Sequence, residues 1–312
     1  MLVTGLAQLR FAASLVLGRP FSLWSLEHLL AAIGETQREF GSLGADAAAM
    51  MQGPVLDEAD RQELHLRRFR MQAVRAAQET AYYRRMFAQL EIDPARLRYA
   101  EIAKLPITPK EALREEPDAF VRATAKPTFR TTTTGTTGKP TCVCFSAHEM
   151  HTYSAFNAIS LLLQRQVTAE DIVQISTSAR ATLGNTCFAH ACERIGALWY
   201  QTGLVDPAQS LALLAERRAI PGKKPQVSFL NTYASYLGQL VEYGLAAGYQ
   251  PSGFGLEHIS VGGEVVTAGL KTRCQALFGP VQLIEGYGIT ELWPFGGSLC
   301  SQGHLHFEVS QG

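Results

Sequence analysis

From Asp171 onward the chain alternates short apolar runs with helical stretches, and this alternation restricts the fold more than any other feature. Asp171-Ile-Val-Gln-Ile175, Gly196-Ala-Leu-Trp-Tyr200, Gln226-Val-Ser-Phe-Leu230, His258-Ile-Ser-Val261 and Val281-Gln-Leu-Ile284 each stand near turn residues, which marks them as strands. Helical spacings fill much of the intervening chain, at roughly 209–218, 233–247 and 267–278. A further helix opens at Ser146-Ala-His-Glu149, where each side chain can satisfy the other's free backbone donor. Strands separated by helices pair in parallel, so the expected fold class is α/β with mainly parallel, helix-covered sheets. In such sheets ligands gather at the carboxyl ends of strands.

Two glycine-bearing turns fall at those ends. Val261-Gly-Gly-Glu264 closes one predicted strand, and Glu285-Gly-Tyr-Gly-Ile-Thr-Glu291 closes the next. Tyr287 offers a flat face to a base and a hydroxyl to its edge, and Gly286 and Gly288 clear room for a ligand against the backbone. Glu291 supplies the hard oxygen that Mg²⁺ prefers. The plainer alternatives are a half-buried tyrosine at a strand end and a carboxylate favoured by a helix dipole.

A third segment, Phe129-Arg-Thr-Thr-Thr-Thr-Gly-Thr-Thr-Gly-Lys-Pro140, gathers hydroxyls, glycines and a lysine in a phosphate-sized loop. The consecutive threonines favour an extended strand. Gly135 and Gly138 then permit a turn whose amides converge on an anion. Thr133, Thr134, Thr136 and Thr137 add neutral donors, and Lys139 adds a mobile positive charge. This is no Walker A loop, which requires four residues between its glycine and Gly-Lys, with Ser or Thr after the lysine. Here two residues intervene and Pro140 follows. A threonine-rich surface hairpin is the competing reading.

Taken in order, the three segments resemble the signatures of the adenylate-forming superfamily: acyl-CoA synthetases, adenylation domains and luciferases. The loop is similar to Thr/Ser-Ser-Gly-Thr-Thr-Gly-Lys-Pro, with Thr134 at a position where serine is commoner. The resemblance implies that Gly262, Gly263 and Glu264 lie against adenine, that Glu285, Gly286, Tyr287 and Gly288 form the base-stacking segment, that Thr290 contacts phosphate, and that Glu291 helps hold Mg²⁺. It implies ATP, Mg²⁺ and coenzyme A as cofactor and co-substrates. It also implies a two-step reaction, with Lys139, Thr290 and Glu291 as the catalytic set: a carboxylic acid becomes acyl-AMP, then a thiol displaces AMP. The acid is of an aryl or acyl type. The thiol belongs to CoA or to a carrier protein, and a nucleotide-binding remnant without catalysis is the third alternative.

Arg/Gln-rich helical sequence from Leu56 to about Leu90 ends in Tyr82-Tyr83-Arg84, and Leu105-Pro-Ile-Thr-Pro-Lys110 follows. Both resemble the phenylacetate-CoA ligase branch, with Ala81 and Pro109 departing from its pattern. In that branch the stretch Leu183 to Gly196 lines an acyl or aryl pocket, and Asn231-Thr-Tyr-Ala-Ser-Tyr236 resembles a substrate segment. His190 and Tyr233 are therefore candidate substrate contacts, against the plainer reading of His190 as a core histidine. Cys300 and His306 match a Cys…Gly-x-x-His pattern and form a candidate partial Zn²⁺ site, against the plainer reading of a free cysteine and surface histidines. Relatives continue through an aspartate for the ribose, a hinge and a small lysine-bearing domain. None of these has a counterpart before Gly312, so the expected match is to the amino-terminal core alone, as a fragment or a natural truncation.

Competing chemistries lack their minimal residue sets. His148 and His151 are three apart, whereas a zincin helix spaces them four apart. No Gly-x-Ser-x-Gly elbow and no Gly-x-Gly-x-x-Gly fingerprint occurs. Cys142 and Cys144 alternate on a strand and need only a shared apolar face to explain them. Lys+Arg and Asp+Glu are 28 each, so there is no field to attract nucleic acid or an anionic membrane. Six cysteines spread over 312 residues read as reduced, cytoplasmic thiols. Phe11 to Leu17 is too short to span a bilayer and is expected to form a buried amphipathic helix, continued by helical spacings from Ser22 to Ile33. The expected organisation is a helical segment over 1–100 and a nucleotide-binding α/β core over 101–312, with a homodimer as a candidate assembly.

Overall fold

The computed structural model describes residues 2–17, 19, 21–40, 57–133, 140–164, 166–292, 296–299 and 304–307. The chain divides into two units, one formed by residues 1–32 and 44–152 with residue 312, the other by residues 33–43 and 153–311. The boundary expected near residue 100 falls inside the first of these.

The first unit begins with α1 (Leu2–Leu17) and α2, which spans Leu23–Phe40 and runs on into the second unit. The expectation that the first apolar run is buried does not hold. Within that run Val16 is 62% exposed and Leu17 42%, and earlier on the same helix Leu2 and Leu9 are exposed while Ala7 is buried. Apolar residues run round α1 rather than along one stripe: Leu2 and Val3 are adjacent in sequence and so project about 100° apart. The stripe in α2 is better defined, and Leu26 and Leu30 are buried. The long helical pattern that follows breaks in two, into α3 (Glu58–Glu79) and α4 (Ala81–Gln89). Thr80 makes the break, its hydroxyl donating to the Ala76 carbonyl and accepting from the Tyr83 amide. Ala73, Phe87 and Leu97 form a small core here. Short helices α5 (Tyr99–Ile102) and α6 (Lys110–Glu115) lead to a hairpin of β1 (Pro127–Thr132) and β2 (Cys142–Ser146). The threonines of β1 are extended, as their branching favours.

Helix α7 (Ala147–Leu163) starts in the first unit and ends in the second. Its expected capping box is present, with Glu149 accepting from the Ser146 amide and hydroxyl and the Ser146 hydroxyl accepting from the Glu149 amide. The second unit then follows the predicted alternation: β3 (Ile172–Ser176), α8 (Thr182–Ile195), β4 (Leu198–Gln201), α9 (Pro207–Ala215), β5 (Phe229–Thr232), α10 (Ala234–Ala246), β6 (His258–Gly262), α11 (Ala268–Phe278), β7 (Gln282–Gly288), β8 (Gly296–Leu299) and β9 (Leu305–Phe307). These strands form one sheet in the order β4-β3-β5-β6-β7-β8-β9. Neighbours from β4 to β7 are parallel, and β8 and β9 are antiparallel. Ile172, Leu230 and Ile259 from the strands, with Leu211, Leu237, Leu240 and Leu277 from the helices, are fully buried in its main core. Burying a side chain of this size contributes roughly 1.5–3 kcal/mol.

After β3 the chain moves outward to β4, then crosses back to place β5 on the opposite side of β3. The sheet therefore reverses direction between β3 and β5, and the crevice at that reversal is where ligands bind in open α/β sheets.

Candidate functional site

Parallel register lines up the carboxyl ends of four strands. Ser176, Thr232, Val261 and Glu285 stand level across β3, β5, β6 and β7, and Gly262 and Gly286 are paired one step beyond. The predicted glycine turns are thus brought side by side. A side chain at Gly262 would meet nothing within 4 Å, so the space above that strand end is open. Gly263 has φ +76°, a conformation that favours glycine, and the ring of Tyr233 lies 3.8 Å from where its Cβ would stand. Tyr287 sits beyond Gly286 with about half its surface exposed, paired with Gly297 across β8. Thr290 and Glu291 follow in a single 3₁₀ turn.

The crevice between β3 and β5 is tied together by residues that the motifs did not flag. Burial pushes the Tyr233 phenol up, and the Ser178 backbone beside it acts in the opposite direction. Asn185, in the first turn of α8, donates to the Ser178 carbonyl at 3.1 Å and accepts from the Thr177 hydroxyl at 2.6 Å. Thr232 donates to the Ser176 carbonyl at 3.0 Å. The signal for these residues was the polar run Ser176-Thr-Ser178 at the end of an apolar strand, an unusual place for three hydroxyls.

Tyr233, the residue after β5, stands at this crevice, and His190 lies on α8, eight positions after Thr182. The two acidic residues of the glycine turns have structural partners. Glu264 accepts from the Ser235 amide at 2.6 Å and the Ser235 hydroxyl at 2.9 Å, capping α10 and complementing its dipole. Glu285 is ion-paired with Lys271. Each carboxylate thereby holds its neighbouring glycines in register.

The threonine run ends in a hairpin. Thr133 donates its amide to the Thr141 carbonyl at 2.9 Å, and Thr141 donates its amide to the Thr133 hydroxyl at 3.1 Å. The six residues between, Thr134, Gly135, Thr136, Thr137, Gly138 and Lys139, lie outside the described residues up to Pro140, as does Cys300. The His306 side chain also falls outside them, so the expected Zn²⁺ pair is not placed. Among the described residues no three His, Cys, Asp or Glu side chains group as metal ligands, and no helix is long and apolar enough to cross a membrane.

No protein-family model and no curated protein matches the chain. Solved structures do. 2-Hydroxyisobutyryl-CoA ligase, in complex with 2-HIB-AMP and CoA in its thioesterification state, superposes with TM-score 0.67 at 20% identity over 82% of this chain and 55% of that one. An open conformation of the same ligase gives TM-score 0.65 at 18% identity, over 78% and 54%. The chain shares the fold of this ligase and spans about half its length.

Proposed function

We propose that the chain is the nucleotide-binding core of an AMP-forming acid–thiol ligase, and the observation that carries this reading is the pairing of Gly262 with Gly286 beneath half-exposed Tyr287. Glycines there leave the base room to lie against the backbone, and the tyrosine ring covers it. The fold shared with a ligase that binds an acyl-AMP and CoA supports the same chemistry.

In the first step a carboxylate oxygen attacks the α-phosphorus of ATP, the bond to the bridging oxygen breaks, and pyrophosphate leaves. No side-chain nucleophile is needed, because the transition state carries dispersed negative charge that fixed donors neutralise. The donors proposed are the loop amides at 134–138, the threonine hydroxyls at 133–137, Lys139 and Thr290. Mg²⁺ suits the hard carboxylate oxygen of Glu291 and would supply further charge neutralisation there. Tyr233, beside Ser178 at the β3–β5 crevice, is the residue assigned to the acid. In the second step a thiol attacks the acyl carbon and AMP leaves. Coenzyme A is the thiol proposed, by likeness to the ligase, and an aryl or acyl acid fits the phenylacetate-CoA ligase resemblance.

ATP–pyrophosphate exchange, run with a panel of small aryl and aliphatic acids, tests the reading. Acid-dependent exchange is the expected result. Absence of both exchange and ATP binding at millimolar Mg·ATP would refute it.

A further inference from the structure

The hairpin carries chemistry that adenylation does not use. Its register sets Arg130 opposite Cys144 and Thr132 opposite Cys142, so these four residues share one face. The other face carries Thr131 and Phe145, both buried. Arg130 donates Nε–H to Cys142 Sγ at 2.8 Å. Both thiols are partly exposed and line a cavity of about 420 Å³ within the first unit. The other described cysteines differ. Cys187, Cys192 and Cys274 are buried, and burial pushes the Cys192 and Cys274 thiols up to about 12.

We propose that Cys142 and Cys144 are an oxidisable dithiol at the stem of the 133–141 turn, in which Cys142 reacts with hydrogen peroxide entering the cavity and Cys144 resolves the product as a disulfide. The Cys142 sulfur loses its proton and attacks one peroxide oxygen. The S–O bond forms, the O–O bond breaks, and the departing hydroxide takes up a proton, giving a sulfenic acid and water. Cys144 then loses its proton and attacks the Cys142 sulfur, the S–S bond forms, the S–O bond breaks, and the second hydroxide leaves as water. Two thiols are oxidised by two electrons and one hydrogen peroxide is reduced. Arg130 acts on the first step, since a charged N–H donor stabilises negative charge on sulfur. Burial pushes the Cys144 thiol up, which suits the slower, resolving partner.

Closure changes the strand. Alternate Cα atoms on an extended strand are about 6.8 Å apart, at the upper end of what a disulfide spans. The bond therefore draws β2 together across Val143, whose partner in the ladder is Thr131, next to the Thr133–Thr141 bonds that close the turn. A bridge strained in this way is readily reduced, so the change is reversible.

The test treats the full chain with hydrogen peroxide, then maps cysteine states by alkylation and peptide mass, with hydrogen exchange on the oxidised sample. A Cys142–Cys144 disulfide that a thiol reductant reverses is expected, with amides 131–133 and 141–143 exchanging about tenfold faster, the size of a 1.4 kcal/mol local weakening. Cys144→Ser should accumulate a sulfenic acid on Cys142 that a 1,3-diketone traps, and Cys142→Ser should leave Cys144 reduced at the same dose. Arg130→Met should slow oxidation about fivefold or more. The proposal is overturned if the wild-type chain forms no such disulfide, if Cys144→Ser yields no trapped Cys142, if Arg130→Met oxidises at the wild-type rate, or if the ladder exchanges no faster after closure. Exchange outside the hairpin reports whether each variant is folded. Should a variant fail to fold, the wild-type mapping alone decides.

Discussion

The two ends of the parallel sheet are built from the same strands and finished in opposite ways. At the amino end, Asp171 precedes β3 and its carboxylate accepts from the Thr168 amide at 2.6 Å, the Thr168 hydroxyl at 2.8 Å, the Ser228 hydroxyl at 2.5 Å and Lys224 Nζ at 2.7 Å. Lys224 continues to Glu257 at 2.7 Å. Every oxygen there has a partner. At the carboxyl end, paired positions on β6 and β7 are glycines, and Tyr287, the next residue along β7, is half exposed. Charge closes one edge, while missing side chains keep the other open. One end therefore carries stability and the other is available for binding, so substitutions at the two ends should separate these properties.

The largest effect is expected at the closed end. Asp171→Ala removes an acceptor shared by four donors and leaves Lys224 partly buried beside Glu257 alone, and breaking a buried pair of this kind costs about 3–5 kcal/mol. Urea unfolding should show that loss, with nucleotide affinity unchanged in whatever fraction stays folded. The same group sets an acid limit. Burial pushes the Asp171 carboxyl up, but hydrogen bonds from Lys224, Ser228 and Thr168 outweigh it and hold it below its ordinary value. A carboxylate lowered by folding stabilises the folded state above its unfolded pKa of about 3.9 and loses that contribution as pH falls toward the lowered value. The wild-type unfolding midpoint should therefore drop below about pH 4, and Asp171→Asn should flatten this step. An undiminished acid step in Asp171→Asn would show that another group controls it.

At the open end, Glu291→Gln should reduce acid-dependent pyrophosphate exchange about 100-fold, the scale of losing one charged transition-state contact, without moving the unfolding midpoint. A parallel fall in stability would place Glu291 with the structural carboxylates instead.

How far the sequence discloses these ends depends on how local their determinants are. The strands and helices of the second unit were legible because each apolar run is short and flanked by turn residues, and the glycine turns because their meaning depends on strand ends alone. The capping box at Ser146–Glu149 is a four-residue pattern and was equally plain. Three features were not. The burial of α1 was misjudged because periodicity reports a stripe only where apolar residues share a face. The break at Thr80 was missed because one hydroxyl capping two helices leaves no mark on composition. The Asp171–Lys224–Glu257 cluster joins residues more than 30 positions apart, a pairing that no local pattern encodes. The acidic residues at 264 and 285 illustrate the remaining gap: the motif identified their places, while their partners Ser235 and Lys271 were visible only once the fold brought them near.

The glycines sharpen the contrast within the open end itself. Gly263→Ala forces a residue with a Cβ to hold φ +76°, which costs about 1–2 kcal/mol; the Tyr233 ring at 3.8 Å is ordinary contact and adds no clash. Gly262→Ala meets nothing within 4 Å and should leave stability within about 0.5 kcal/mol of wild type, yet it places a methyl group where the base is proposed to lie. Denaturation should therefore single out Gly263, and ATP titration should single out Gly262. The assignment of the base to this edge fails if Gly262→Ala binds ATP as tightly as wild type.

The smallest expected effect discriminates most finely. Tyr287→Ala removes a half-exposed ring, so folding should change by no more than about 0.5 kcal/mol. Stacking of a base on an aromatic side chain contributes about 1–3 kcal/mol, and the variant should bind ATP about tenfold more weakly, equivalent to about 1.4 kcal/mol. Tyr287→Phe keeps the face and loses the hydroxyl, so it should retain most of that affinity. If Phe proves as poor as Ala, the hydroxyl rather than the ring is what the nucleotide meets, and the edge recognises its ligand by hydrogen bonding. If neither substitution weakens binding while Gly262→Ala does, the base still lies on the glycines but beneath some other cover, and the open end of the sheet owes its selectivity to backbone shape alone.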